Sequence, residues 1–298
     1  MDRLDAMTVL LAAVDTGSLS AASRQLRLPL ATVSRRVSEL EEHLNIRLLL
    51  RGHRKLTLTD AGRSYVASCR RIMEDIAEAE RTAAGEYLTP RGELTISVSQ
   101  VMGRVHVVPV VAEFLRTYPD IHMRVLLNDR NVNLLEENVD LALRVGELPD
   151  SSMIAVRVAS IRQVLCASPG YLKIRGVPKT PSDLAAHDCV AYEDLVLGSN
   201  WDFHSVGVPQ IVPILSRLVV NSVEAAVSAA TAGVGIARVL SYQIDELVNL
   251  GALVTLLETY EPSPIPVSFI YPSQRQVPLK LRAFLDFSVP RLRKRLGA

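Results

Sequence analysis

Apolar residues recur at helical intervals at the start of the chain and predict two short helices. Gly17 is positioned to end the first helix in the left-handed conformation, which glycine adopts without strain. Leu19 and Ser20 predict the start of the second, with Ser20 as its N-cap and with Ala22 and Leu26 buried. The predicted buried face of the first helix consists of Leu4, Met7, Leu11 and Val14.

Pro29 interrupts this pattern, because proline disfavours helix at the residue before it and has no amide donor. A third helix is predicted after it, and its core face carries Val33, Val37, Leu40 and Leu44. Turning 100° per residue places on the outer face and its flanks Ala31, Ser34, Arg35, Arg36 and Ser38. Small polar residues and arginines near a helix N-terminus suit the DNA major groove, although a solvated charged face has the same pattern.

Two short β-prone runs around Gly52 follow and predict a hairpin over Arg47–Thr59. Its tip carries Arg51, His53, Arg54 and Lys55. From Arg24 to Arg63 there are nine basic and four acidic residues, an excess of five, whereas the whole chain has a net charge of +1. Such a local basic patch is typical of a surface that binds the phosphate backbone. The order of helices and hairpin indicates a winged helix-turn-helix.

The most regular pattern lies between Asp60 and Tyr87, where apolar residues alternate at spacings of three and four. These residues are Tyr65, Cys69, Ile72, Ile76, Ala79 and Ala83. A helix of this length is on the order of 40 Å long. The three helices and hairpin that precede it, here called the head, are too small to cover the whole apolar seam formed by these residues. The seam therefore predicts a dimer, and packing against the chain's own regulatory domain is the alternative. Cys69 on this seam is interpreted as a small buried hydrophobic residue.

From residue 91 onward, short strands alternate with helices and predict an α/β domain with open, mostly parallel sheets. The expected order begins with a strand over 94–99 and a helix from near Gly103 to Tyr118. A second strand over 121–127 and a short helix follow. Further strands are predicted over 139–145, 155–167, 217–220, 252–257 and 266–271, with a helix ending at Ala232.

The amino-acid sequence also resembles those of the LysR-type transcriptional regulators. The N-terminal motif is matched by Ala21-Ala22, Leu26, Val33-Ser34-Arg35, Leu40-Glu41, Arg51, Leu58-Thr59 and Ala61-Gly62. Weaker matches are Pro109 with Phe114 and Pro119, residues 139–144, Ala167-Ser168-Pro169 with Tyr171-Leu172, and Gly233-Val234-Gly235. The resemblance implies a winged helix-turn-helix domain at 1–59, a linker and dimerisation helix at 60–88, and an effector-binding regulatory domain at 91–298. Two subdomains similar to periplasmic binding proteins are implied in that last domain, the first about 91–161 plus 268–290 and the second about 162–267.

On this interpretation the chain is a sequence-specific transcription regulator controlled by a small-molecule effector. The residues expected at the DNA are Leu30, Ala31, Thr32, Ser34, Arg35, Arg36, Arg51, His53 and Arg54. The chain departs from the family at Pro29 and Leu30, where a polar residue usually starts the recognition helix. The expected partners are double-stranded DNA with two-fold related sites, a second copy of the chain, a tetramer built as a dimer of dimers, and RNA polymerase.

The effector site is inferred from where strands end, because ligands of open α/β sheets bind at carboxyl ends of strands. The expected residues are Ser99, Gln100, Asn128, Arg144, Ser168, Trp201 and Asn221. Ser99 before a helix favours a small organic anion, and a carboxylate is the expected effector. Each residue also has a structural alternative: the serines as N-caps, Arg144 as an ion pair, Asn128 as a turn residue and Trp201 as core.

Little in the sequence indicates an enzyme. The histidines show neither HxxxH nor HExxH spacing, and the three cysteines form no CxxC, so no metal, cofactor or catalytic residue is expected. A redox pair of Cys166 and Cys189 is one alternative. The competing class is a solute-binding or enzymatic α/β domain with an appended helical head. Sparse cysteine, no long apolar run and no signal peptide predict a cytoplasmic protein.

Overall fold

The computed structural model of the chain describes residues 2–50, 56–83, 89–148, 153–192, 200–205, 208–273 and 277–297. The chain packs as two compact units, one of Met1–Gly92 with Leu135–Asn138 and one of Glu93–Leu134 with Val139–Ala298. The first unit carries three helices, a hairpin and a long helix, and the second carries two five-stranded sheets.

Three helices begin the first unit: α1 (Arg3–Thr16), α2 (Leu19–Leu26) and α3 (Leu30–Leu44). Gly17 ends α1 with a φ of 74°, as predicted. The N-cap predicted at Ser20 is wrong, since Ser18 is the extended residue before α2. Its hydroxyl accepts a hydrogen bond from the Ala21 amide at 3.1 Å. The predicted core face of α3 is confirmed, with Leu44 only partly buried.

The buried face predicted for α1 is wrong. Leu4 is 42% exposed, and the fully buried residues of this helix are Ala6, Val9, Leu10 and Ala13. Leu11 and Val14 lie at the border of the same core. Alanine has no side chain beyond Cβ, so an alanine-containing face allows neighbouring helices to pack closely.

The predicted hairpin is confirmed at its base. β1 (Leu49–Leu50) pairs antiparallel with β2 (Thr57–Leu58), with Leu49 opposite Leu58. The tip, residues 51–55, lies outside the described residues. α4 (Asp60–Ala83) follows and contains the predicted heptad seam, although residues 84–88 are outside the described part.

The second unit consists of two α/β subdomains. The first contains β3 (Gly92–Val98), α5 (Gln100–Met102), a π turn (Gly103–Val107), α6 (Val108–Thr117), β4 (Ile121–Leu127), β5 (Leu141–Val145), β6 (Met153–Ile161), β14 (Ile265–Pro272) and α10 (Leu279–Arg295). The second contains β7 (Gln163–Ala167), α7 (Pro169–Arg175), β8 (Asp188–Tyr192), β9 (Asn200–Ser205), β10 (Val208–Pro213), β11 (Leu215–Val220), α8 (Val223–Thr231), β12 (Ile236–Leu240), α9 (Asp245–Asn249) and β13 (Val254–Leu256). The helix after β3 starts at Gln100 rather than near Gly103, and residues 134–138 form turns instead of the expected short helix.

The two sheets have the strand orders β4-β3-β5-β14-β6 and β11-β8-β12-β7-β13. β3 pairs parallel with β5, and β8 pairs parallel with both β11 and β12. β14 pairs antiparallel with β5 and β6, and β7 pairs antiparallel with β12 and β13. The sheets are therefore mixed, and the expectation of mostly parallel strands is wrong. β7 and β14 enter their sheets from the other subdomain through short connections without a crossover α-helix. They therefore run opposite to the neighbouring strands of their own sheet.

The chain crosses between the subdomains at Arg162 and again between Leu256 and Ile265. Pro266 and Val267, assigned to the second subdomain from sequence, pair with β6 in the first sheet. The crossings lie at one end of the strands in each sheet. This row of strand ends is here termed the crossing edge. In the first sheet Ile161, Ile265 and Val145 lie there, and in the second Gln163, Leu240, Tyr192 and Val220.

A buried ion pair stabilises the second subdomain. Arg238 on β12 is 4% exposed, and its guanidinium donates to Asp202 Oδ1 at 3.1 Å and to the side-chain oxygen of Gln163. Burial raises the pKa of Asp202, but the charge and hydrogen bond of Arg238 outweigh burial and leave this pKa below its usual value. Removing Asp202, whose side chain is itself 40% exposed, would leave the buried guanidinium of Arg238 without a compensating charge.

Among the described residues, no single helix has the length and apolar composition needed to cross a bilayer; only the bent pair α1 and α2, taken together, meets that criterion. The described residues also contain no group of three or more His, Cys, Asp or Glu side chains placed to hold a metal ion.

Candidate functional site

The outer face of α3 is open to solvent. Leu30, Ala31, Ser34 and Arg35 are exposed, and Thr32 is partly exposed. The Arg35 side chain is 69% exposed and forms an ion pair with Glu39 one turn later, with 3.5 Å between Nη1 and Oε1. An exposed i,i+4 pair of this kind contributes little energy, so Arg35 can exchange Glu39 for another anion.

Arg36 differs from Arg35. Its side chain is only 25% exposed and its Nη2 lies 2.7 Å from Asp5 Oδ2, which links α3 to α1. Arg36 was expected among the DNA-contacting residues, and the structure places it at the border of that face with a carboxylate already bound.

The N-terminus of α3 has no side-chain cap. Pro29 is the N-cap residue, and only its carbonyl takes part, accepting from the amides of Thr32 and Val33. The departure from the family at Pro29 therefore leaves the amides of Leu30 and Ala31 without a capping side-chain oxygen among the described residues. Unsatisfied amides at a helix N-terminus favour an anion such as a phosphate.

Glu41 holds the base of the hairpin and was not singled out from sequence as a functional residue. It is 6% exposed, and its Oε1 accepts hydrogen bonds from the amides of Leu48 and Leu49 at 2.8 and 3.0 Å. Arg47 approaches Oε2 at 3.4 Å. The hairpin that carries the predicted residues Arg51, His53 and Arg54, themselves outside the described residues, is thus fastened to α3 by one carboxylate.

The seam of α4 is divided between two environments. Cys69 is fully buried, and Tyr65 packs against the core of the three-helix head. Ile72 is 36% exposed, Ile76 is partly exposed and Ala79 is exposed. The first half of the seam is therefore covered by its own chain, while the second half presents apolar side chains to solvent. Burial raises the pKa of the Cys69 thiol, which makes the thiolate scarce.

In the regulatory unit, four of the predicted effector residues lie at the crossing edges. Ser99 and Gln100 follow β3, Asn128 follows β4, and Asn221 follows β11. The Asn128 amide donates to the Val98 carbonyl at 3.0 Å, which places the ends of β3 and β4 side by side. Asn128 Oδ1 is buried and has no hydrogen-bond partner among the described residues. Ser99 Oγ is also buried without a partner of hydrogen-bond geometry there, although it lies beside the Tyr242 hydroxyl.

Asp129 occupies part of the site that the sequence assigns to an anion. Its Oδ1 accepts from the Gln100 amide at 3.1 Å, and its Oδ2 accepts from Gln100 Nε2 at 3.3 Å. Sequence reasoning missed this residue, whose only signal is its position directly after Asn128. A carboxylate of the protein therefore already benefits from the positive end of this helix.

Arg144 is bound to the protein itself. Its guanidinium donates to the carbonyls of Arg130 and Val132, at 3.4 and 3.1 Å. These bonds fasten the loop after β4 to β5, which is a structural role, although the acceptors are backbone carbonyls and not the partner of the ion pair supposed from sequence.

Ser168 and Trp201 are not at the crossing edge. β7 starts at that edge and runs away from it, so Ser168 lies at the opposite edge, where its hydroxyl caps α7 by accepting from the Tyr171 amide. Trp201 is 3% exposed and packs in the core beneath the β9–β10 hairpin, as its core alternative supposed. The structure therefore does not bring these two residues together with Ser99.

Cys166 and Cys189 lie on opposite faces of the second sheet. Cys166 packs in the core shared with Val164 and Ala237, whereas Cys189 packs with Leu165 in a separate core. Side chains on opposite faces cannot form a disulfide without rebuilding the sheet. Burial raises the pKa of each thiol to about 12. The redox pair considered from sequence is thus wrong.

Comparison with known proteins gives two family matches. Residues 4–63 match the bacterial regulatory helix-turn-helix family of lysR type, and residues 89–293 match the LysR substrate-binding domain. The chain is 35% identical to a transcriptional repressor of Pseudomonas aeruginosa, over 96% of this chain and 91% of that protein. It is 33% identical to the transcriptional activator AaeR of Escherichia coli, over 96% of this chain and 93% of that one. Among solved structures, CrgA, a LysR-type regulator of Neisseria meningitidis, matches with 33% identity and a TM-score of 0.62, over 97% of this chain and 98% of that one.

Proposed function

Because the chain belongs to the LysR family of DNA-binding transcription regulators, we propose that it reads a two-fold related duplex site through α3 and that a small organic acid, bound between the regulatory subdomains, controls this reading. The families and relatives that it matches are transcription regulators and not enzymes. The proposed boundaries are residues 1–59 for the DNA-binding domain, 60–88 for the linker helix and 91–298 for the regulatory domain.

The exposed face of α3 is the observation that carries the DNA-binding part. Ser34 and Arg35 are the residues there that can hydrogen-bond base edges. Leu30 and Ala31 offer apolar contact, which suits a thymine methyl group, and Thr32 adds a hydroxyl. Arg51, His53 and Arg54 are assigned to phosphate contacts by the resemblance, and Arg36 to orienting α3 through Asp5.

Binding measurements at several salt concentrations test this assignment. Arg35→Ala should weaken binding to the operator more than to random duplex, by about 1–3 kcal/mol. Arg51→Ala should weaken both equally and lower the salt slope by about one. Arg116→Ala, which removes the same charge from the regulatory unit, is the matched control. Equal operator affinity of Arg35→Ala, Arg51→Ala and wild type would contradict the assignment.

The second half of the α4 seam, which is open to solvent, supports self-association. Ile72 and Ile76 present apolar area that a second copy can bury, and a dimer places two recognition helices on one duplex. We infer a dimer through this seam, pairing of dimers into a tetramer, contact with RNA polymerase at the promoter, and action in the cytoplasm, where bacterial transcription takes place.

The proposed effector is a carboxylate that contacts Ser99, Gln100, Asn128 and Asn221. The buried Asn128 Oδ1, which has no partner among the described residues, supports a ligand here, since buried polar atoms are nearly always hydrogen-bonded. An incoming carboxylate would take over the Gln100 amide from Asp129. A ligand that touches both subdomains has the differential affinity needed to shift their arrangement.

A thermal-shift screen of small aliphatic and aromatic carboxylates on the full chain tests the effector class. For a carboxylate that raises the melting temperature, Ser99→Ala should reduce the shift and leave ligand-free DNA affinity unchanged. Asp129→Asn should strengthen binding, because it removes a competing negative charge, and Asp120→Asn in an exposed turn is the matched control. A loss of ligand-free DNA binding in Ser99→Ala would mark this residue as structural.

A further inference from the structure

A cavity of about 620 Å³, separate from the crossing-edge site, lies between the two regulatory subdomains. The first subdomain contributes Val101 and Val105, the second contributes Val227 from α8 and Leu247 from α9, and Tyr242 forms part of the lining. None of the residues predicted for the effector lines it. Its size is within the range of small-molecule sites, about 300–1,000 Å³.

His106 is the unexplained group in this cavity. It is 8% exposed, and neither ring nitrogen has a hydrogen-bond partner among the described residues. Its ring meets Tyr242 edge-on, with 5.6 Å between centroids. Burial, together with the nearby charge of Arg295, lowers the pKa of His106, so the imidazole is neutral at pH 7 and offers one donor and one acceptor. A buried polar group without a partner is costly, which indicates that something absent from the free chain satisfies it.

The charges around the cavity disfavour an anion. Glu224, Asp245 and Glu246 line it, against the single guanidinium of Arg104, which lies 4.0 Å from Glu224. Arg295 lies behind the π turn, where it donates to the Val105 carbonyl at 2.9 Å, and it repels a cation approaching His106. The lining of the cavity, with its valines and neutral imidazole, therefore favours an uncharged ligand.

We propose that this cavity binds a small, uncharged, mostly apolar molecule whose single hydroxyl or carboxamide group forms a hydrogen bond with one ring nitrogen of His106. Such a ligand is chemically distinct from the carboxylate proposed for the crossing-edge site, and its binding does not depend on that proposal. Its apolar body replaces water against the valine side chains, and its polar group gives one of the two ring nitrogens a partner.

The cavity is also placed to influence the crossing-edge site. The Tyr242 hydroxyl accepts from Gln243 Nε2 at 3.3 Å and lies beside the Ser99 hydroxyl. Because the walls come from both subdomains, an occupied cavity stabilises one arrangement of the two. The ligand in the cavity should therefore change the affinity for the effector, and the effector should change the affinity for this ligand by the same factor.

Calorimetric titration of the full chain with 2-phenylethanol and ethylbenzene, which differ by one hydroxyl, tests the proposal. Wild type should bind 2-phenylethanol about fivefold more tightly than ethylbenzene, the effect of one neutral hydrogen bond. His106→Leu should bind both equally, and His106→Gln, which keeps a donor and an acceptor, should restore the preference. Phenylacetate should bind the cavity more weakly than 2-phenylethanol.

The preference between two ligands is measured within each variant, so a small change in stability does not imitate the result. The proposal is overturned if wild type shows no preference for the hydroxyl, or if His106→Leu retains that preference. A loss of 2-phenylethanol binding in Asp129→Asn with full binding in His106→Leu would place this ligand at the crossing edge and equally overturn it.

Discussion

One buried carboxylate joins the base of the hairpin to α3, and replacing Glu41 with alanine should loosen that base. Glu41 Oε1 accepts from the amides of Leu48 and Leu49. Leu48 is 0% exposed and Leu49 is 8% exposed, so water cannot easily replace the carboxylate. Each buried amide left without an acceptor costs about 1–3 kcal/mol, and the two together should cost the head about 2–6 kcal/mol.

Glu41→Gln is the matched control, because its side-chain oxygen can still accept from both amides. It removes the charge facing Arg47, whose side chain is 67% exposed, whereas that of Glu41 is 5% exposed. Because glutamine keeps an acceptor for both buried amides, it should cost less than alanine. DNA affinity should follow the same order, since the hairpin carries the basic residues assigned to phosphate contacts.

Two readouts on the full chain separate a local from a global effect. Hydrogen exchange of the segment 45–50 reports the hairpin base, and urea unfolding followed by Trp201 fluorescence reports the regulatory unit, where the only tryptophan is buried. Glu41→Ala should accelerate exchange and leave the Trp201 transition unchanged. The reasoning would be refuted if the alanine and glutamine variants exchanged segment 45–50 at the same rate. It would also be refuted if Glu41→Ala shifted the Trp201 unfolding transition as much as it destabilised the hairpin base.

Three further outcomes are expected. Ile72→Asp combined with Ile76→Asp should sediment as a smaller species, because unpaired carboxylates are too costly to bury in a dimer seam; an unchanged sedimentation coefficient would mean that the seam packs within its own chain. The pKa of Asp202 is lower in the folded state, so its stabilising contribution is complete above the unfolded value of about 4 and declines as the pH falls below it; urea unfolding between pH 3 and 6 should show that decline, and Asp202→Asn should flatten it. Cys166 and Cys189 should react with a thiol reagent only as fast as the regulatory unit unfolds, and rapid native labelling would contradict their burial.

The sequence predicted elements more reliably than the faces they bury. α3 has one apolar stripe opposite polar residues, and both its position and its buried face are confirmed. α1 is apolar on most sides, so its period alone does not identify the buried side. Ala6 and Ala13 are buried because their small size allows close packing of the helices. A ranking by hydrophobicity places them below Leu4 and therefore selects the wrong face.

The residues predicted to bind the effector show where a prediction from the ends of strands fails. The rule that ligands gather at carboxyl ends of strands requires the strands to be parallel. β3, β4 and β11 end at the crossing edges, and the residues after them lie there. β7 enters its sheet from the crossing without a helix and runs in the opposite direction, which carries Ser168 to the far edge. Strand direction depends on pairing partners distant in sequence, and no local pattern contains it.

Asp129 shows a further limit, since its contact with Gln100 joins residues 29 positions apart. The consequence is mechanistic. In the free chain the positive end of the helix after β3 is already neutralised, so binding of an anionic effector amounts to exchange of one carboxylate for another. The energy gained at the Gln100 amide is then nearly cancelled, and in the proposed site the net affinity would come from Ser99, Asn128 and the second subdomain. An effector that reaches across to Asn221 is thereby favoured over an anion held at one helix end, and such bridging links ligand binding to the arrangement of the subdomains.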